Sequence, residues 1–158
     1  MKAADLDFMA SLLGDERVMR FYPRTKSPEE ARAWIEWNRR LYRSCGFGLW
    51  LIELADTREP VGDCGLTPQV VDGVEEIELG YHVHPDLQGR GFATEAAAAV
   101  REHARSILGQ RRVVAIIDPR NEPSQHVARR VGLRFEKTTQ WHGRSVAVFV
   151  SEAEEPPL

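Results

Sequence analysis

Apolar positions along this chain change period several times, and each change marks an element. Leu6, Met9, Ala10, Leu12 and Leu13 recur at helical spacing and predict an opening helix. Ser27-Pro28-Glu29-Glu30 is a helix start: a capping serine, proline at the first helical position, and acids where the helix dipole favours them. Ala31, Trp34, Ile35, Asn38 and Leu41 then follow one face. Residues 47–54 are apolar on both alternate faces, which predicts an internal strand. A turn at 57–60 leads to a second strand near 61–67, and Asp72-Gly73 marks a hairpin turn. Residues 74–84 read as a longer strand, with Ile77, Leu79, Tyr81 and Val83 on one face and Glu76, Glu78 and His82 alternating with them.

After Pro85 the period lengthens. Ala93, Ala96, Ala97, Val100, Ala104, Ile107 and Leu108 form one stripe of an amphipathic helix that Gly109 ends. Residues 113–117 are a continuous run rich in β-branched side chains, as in a strand covered on both faces. A short helix at 122–131, stopped by Gly132, precedes two strands, 133–141 and 144–150, joined at His142-Gly143. The order is two helices, three antiparallel strands, helix, strand, helix and hairpin. A mixed sheet with helices on its faces is the natural outcome, an α/β (α+β) fold.

The 158 residues suit one domain, with only the acidic, proline-containing tail from about residue 152 expected to fray. Hydrophobic residues at 42% and charged residues at 28% argue against disorder. A net charge of −3 weighs against a nucleic-acid partner, which needs clustered cations. No apolar run approaches membrane-spanning length, and the first residues lack a signal-peptide core. Cys45 and Cys64 stand in neither a CxxC pair nor metal-ligand spacing, so the expectation is a reduced cytoplasmic protein with no metal.

The most informative stretch is Gln88-Gly89-Arg90-Gly91-Phe92-Ala93-Thr94, where a strand passes through a two-glycine loop directly into a helix. Glycine permits close main-chain approach by a ligand, and the first helix amides have no internal partners. A phosphate there gains about 0.3–1 kcal/mol from the dipole besides its hydrogen bonds. A P-loop needs Lys and then Ser or Thr after its last glycine, but Phe92 follows Gly91. A Rossmann fingerprint needs a third glycine where Thr94 stands, and an early βαβ unit where this chain has a meander. Both readings fall, and a nucleotide-binding oxidoreductase with them.

The Gln88–Ala93 segment resembles the Q/R-x-x-G-x-G/A signature of the GNAT acetyltransferases. Asn121-Glu122-Pro123-Ser124, followed by Val127, Val131, Gly132 and Leu133, is similar to the N-x-x-S segment of the ribosomal-protein alanine N-acetyltransferase branch. The resemblance runs over nearly the whole chain. It implies a splayed sheet with acetyl-CoA in the V between two diverging strands. Backbone groups of Tyr81, His82 and Val83 would pair with its pantetheine arm, and the 88–94 amides would hold its pyrophosphate. Asn121 and Ser124 would lie near the thioester. The family usually opens with a strand before the first helix; here that edge strand is missing from the pattern, which would leave a pairing surface through which a homodimer could form. The family's frequent general-acid tyrosine corresponds to Ala128, leaving Ser124 or water for that role.

The resemblance also implies the reaction: an amine attacks the thioester carbonyl and the thiolate leaves. The acceptor is then a protein N-terminus or a small-molecule amine. Glu78 matches the family's strand base, with His82 and His84 as rivals of suitable acidity. A bulge at Gly80 would change which of these point inward. Among the aromatics Phe21, Tyr22, Trp34, Trp37 and Trp141, the Phe21-Tyr22-Pro23 stretch is the leading candidate for acceptor contact. The competing reading is an acyl-CoA-binding module without turnover.

Overall fold

The structure, a computed structural model, describes residues 1–151; the tail expected to fray lies outside the described residues. A single helical turn at Ala3–Asp5 leads into α1 (Leu6–Gly14), and α2 (Pro28–Cys45) follows. The start of α2 is the reciprocal cap its sequence specifies: Glu30 N–H donates to Ser27 Oγ (3.2 Å) and Ser27 N–H to Glu30 Oε2 (2.8 Å). Next come β1 (Leu49–Glu53), β2 (Pro60–Val71), β3 (Val74–Val83), α3 (Phe92–Ser106), β4 (Val114–Ile117), α4 (Glu122–Arg130), β5 (Leu133–Trp141) and β6 (Arg144–Ser151). Gly109, at φ 67°, lets Gln110 N–H return to the Ala104 carbonyl (2.8 Å) and close the end of α3.

The six strands form one sheet in the order β1-β2-β3-β4-β6-β5. Every pairing is antiparallel except β3 with β4, which is parallel and joined at one position, Glu78 opposite Val114. Beyond that position the two strands diverge, which is the splay that the family resemblance implies. No strand precedes α1 among the described residues, and β1 is an edge strand rather than the internal one expected. The cause is that both faces of β1 are covered. Trp50 and Ile52 pack on the α3 side and Leu51 on the α1 side, so its apolar pattern reports buried faces, not a central place in the sheet.

Apolar clusters cover both faces of the sheet. On one face Ala97, Val100 and Ala104 of α3 and Ala128 of α4 pack against Leu66, Leu79, Ala115 and Phe149. On the other, Met9, Leu12 and Leu13 of α1 and Ala31 and Ile35 of α2 form a second cluster. Asn38, fully buried, ties α2 to β1 by accepting from Leu49 N–H (2.7 Å) and donating to the Trp34 carbonyl (3.0 Å). Where β1 meets β2 the backbones nearly touch: a Cβ at Gly65 would lie 2.0 Å from the Gly48 carbonyl oxygen. Gly65→Ala is therefore expected to destabilise the fold by about 1–3 kcal/mol or more, read as a fall in the urea midpoint.

Candidate active site

The site grows from the open V between β3 and β4. His84 N–H donates to the Val61 carbonyl (2.8 Å), so the backbone groups of His84 and, by alternation, His82 face β2. Those of Tyr81 and Val83 face the open edge, free of strand partners on that side. The sequence reading grouped His82 with these two as a backbone contact; register instead commits its main chain to β2 and sends its side chain to the α1/α2 face. No bulge interrupts β3 at Gly80, since β2 and β3 pair continuously from Gly62–Val83 to Val71–Val74. Glu76, Glu78 and His82 accordingly share one face.

A cleft of about 280 Å³ runs alongside, lined by Tyr81, Val83, Gln88, Gly89, Phe92, Ala93, Asn121 and Ser124, with Phe21 and Tyr22 as its roof. Arg90, Gly91 and Thr94 belong to the same turn but do not line the cleft. Gly89 (φ 76°) and Gly91 (φ 87°) hold left-handed backbone, and nothing lies within 4 Å of a Cβ built at either. Helices α2 and α4 are capped by Ser27 and Asn121; α3 has no side-chain cap, so its first amides stay open. Gln88 braces the loop instead, its side-chain amide donating to the Val83 carbonyl (3.0 Å).

Across the V, Asn121 Oδ1 accepts from Ser124 N–H (3.2 Å), and Ser124 Oγ lies 3.2 Å from the Tyr81 hydroxyl. That hydroxyl donates in turn to the Ser124 carbonyl (2.7 Å). Tyr81 was read only as a backbone contact. Its phenol also stands beside Ser124, close to the backbone of the buried Ala128.

On the α1/α2 face Glu78 is half-buried, its Oε2 accepting from Gln69 Nε2 (2.9 Å) and Thr67 Oγ1 (3.3 Å). Desolvation dominates these bonds and pushes its carboxyl up to about 7. A carboxyl whose pKa rises on folding contributes stability that is fully present below about 4.5 and lost as pH climbs through about 7. Urea unfolding is expected to show stability falling over that window, and Glu78→Gln to remove this carboxyl's share of the slope.

Four residues further along β3, His82 Nδ1 is 2.7 Å from Asp63 Oδ1 and its Nε2 is 2.9 Å from the Tyr22 hydroxyl. Asp63 is fully buried and also faces Trp34 Nε1 (3.4 Å). The loop carrying Phe21 and Tyr22 is pinned from β6: Arg144 donates to the Phe21 carbonyl and to Asp118 Oδ2 (3.1 Å). His84, the other rival base, spends Nδ1 on the Asp86 N–H (3.3 Å) and caps the turn after β3. Trp37 packs at a tilt against Trp34, and Trp141 donates to the Val70 carbonyl; neither lines the cleft.

Thr67, Gln69 and Asp63 were missed in the sequence, yet the turn located them. A two-residue turn at Asp72-Gly73 pairs Val71 with Val74; counting back sets Thr67 opposite Glu78 and Asp63 opposite His82.

Residues 1–134 match the Acetyltransferase (GNAT) domain family. A curated relative, the Bacillus subtilis (strain 168) protein YkkB, is 33% identical over 138 residues, covering 87% of this chain and 80% of the relative. An acetyltransferase structure from Agrobacterium tumefaciens str. C58 superposes with a TM-score of 0.82 at 23% identity, covering 96% of this chain and 87% of that one. The Salmonella typhimurium yncA structure, described with its cofactor acetyl-CoA, gives 0.74 at 19% identity and covers 100% and 94%.

Proposed function

The chain belongs to the GNAT acetyltransferase family, and from that premise we propose that it transfers the acetyl group of acetyl-CoA to a primary amine by direct attack. The observation that carries the reading is the β3/β4 divergence after its one paired position, which is Glu78 itself, opposite Val114.

The residues of the cleft fit this donor. The uncapped amides of α3, beside two glycines with open space before them, suit a diphosphate. Tyr81 and Val83 offer an unpaired strand edge to an amide-containing arm. Acetyl-CoA supplies an acetyl group activated as a thioester. Glu78 removes the proton from the incoming ammonium, and a carboxyl near neutrality is suited to both holding and releasing it. Val83 N–H donates toward a carbonyl oxygen gaining negative charge. Ser124 Oγ donates to the Tyr81 hydroxyl, whose own proton goes to the Ser124 carbonyl; the Ser124 hydroxyl would turn from that bond to serve as the donor on the sulfur side.

A protein N-terminal α-amine is the acceptor we favour, in line with the ribosomal-protein alanine branch that the Asn121–Ser124 segment resembles. Its pKa near 7.8, against about 10.4 for a lysine side chain, spares about 3.5 kcal/mol of deprotonation at about 1.36 kcal/mol per unit. Titration calorimetry tests the donor. Acetyl-CoA is expected to bind and NADH, the control, to give no heat; the reverse pattern overturns the reading.

A further inference from the structure

The fully buried Asp63 carboxylate has no part in the proposed reaction so far, yet it anchors a chain of three groups that ends at the cleft. A carboxylate only accepts, so the 2.7 Å contact puts the proton of the imidazole on His82 Nδ1. Nε2 is then the basic nitrogen, and it receives the Tyr22 hydroxyl at 2.9 Å. The His82 side chain is 8% exposed, and that of Asp63 0%. Tyr22 is 44% exposed and lines the cleft together with His82. The phenol is thus the link between a buried, oriented base and the space where an amine would enter.

The stoichiometry of the reaction leaves work for such a base. An acceptor arriving as an ammonium must shed two N–H protons for one C–N bond to form and one C–S bond to break. One proton ends on sulfur as the thiol and the other in solvent. Glu78 can hold one of them at a time. We propose that Asp63, His82 and Tyr22 form a relay that takes the second: Tyr22 passes its own proton to His82 Nε2 and receives one from the acceptor nitrogen. The imidazolium returns it to solvent by the same route after the product leaves. This inference rests on the acetyltransferase reading above.

The surroundings suit the task. Burial opposes charge on His82, but the Asp63 charge and hydrogen bond, with Glu78 on the same strand, outweigh it and hold the imidazole above its usual range. Lys26, just before α2, works in the opposite direction. The Tyr22 phenol is held high by desolvation, then by Glu78 and Asp63, with Arg144 of β6 opposing; it therefore hands protons on without becoming a stable phenolate.

The test combines two readouts on the full chain. The first is coenzyme A release against pH, with one acceptor throughout so that its own ionisation cancels. The second is the His82 imidazole titration followed by NMR. His82→Gln is expected to lower turnover by about 10²-fold, and Tyr22→Phe, which keeps the ring and loses the hydroxyl, to lower it as well. Asp63→Asn is expected to shift the imidazole midpoint and the acid limb of the rate profile down together. If the midpoint moves while the profile stays that of the wild type, or Tyr22→Phe turns over normally, the trio is structural and the relay is overturned. Should Asp63→Asn not fold, Tyr22→Phe decides the matter alone. Wild-type protein that releases no coenzyme A with any amine sinks the acetyltransferase reading itself; failure of the relay alone leaves wild-type turnover intact.

Discussion

Glu78→Gln is expected to lower acetyl transfer by about 10²- to 10⁴-fold while acetyl-CoA binding is unchanged. The substitution keeps the shape and the hydrogen-bonding reach toward Thr67 and Gln69, and it removes only the capacity to take a proton. Stopped-flow coenzyme A release beside calorimetry separates the two quantities. The loss should be largest near pH 7 and should shrink at alkaline pH, where the acceptor amine is already neutral. A loss confined to KM would instead assign Glu78 to acceptor binding.

Gly91→Asp is expected to weaken acetyl-CoA binding by about 10²-fold or more. Two effects add. A side chain at φ 87° is strained, and a carboxylate at the head of α3 would cap the amides that the diphosphate needs. Losing two hydrogen bonds to a charged group costs about 3–6 kcal/mol, and about 1.4 kcal/mol is tenfold. Because no atom lies within 4 Å of the built Cβ, the variant should fold, and the capped helix should keep its unfolding midpoint near that of the wild type.

The elements were legible because their periods differ and their punctuation is local: the Ser27 cap, the Asp72-Gly73 turn and Gly109 each act within a few residues. The regular alternation of β3 grouped Glu76, Glu78 and His82 on one face, and the uninterrupted pairing with β2 keeps them there. What the pattern hid is long-range. β1 looked internal because helices cover both its faces, a fact that resides in α1, α2 and α3 rather than in β1. The Tyr81 hydroxyl meets Ser124 across 43 residues, and Arg144 reaches the Phe21 carbonyl across 123. No local period encodes such meetings. Asp63 was obscured for another reason. A carboxylate in an otherwise apolar strand reads as a solvent-facing position unless its cross-strand partner is counted out from the turn.

The most direct test of the central claim is coenzyme A release from acetyl-CoA, measured with the wild-type chain against a panel of primary amines that includes peptide N-termini and polyamines. The account predicts thiol release that requires an amine, yields the acetylated amine in equal amount, and collapses in Glu78→Gln. Acetyl-CoA that binds tightly but yields no amine-dependent thiol, with wild type and Glu78→Gln alike, would contradict it and make the chain an acyl-CoA-binding module.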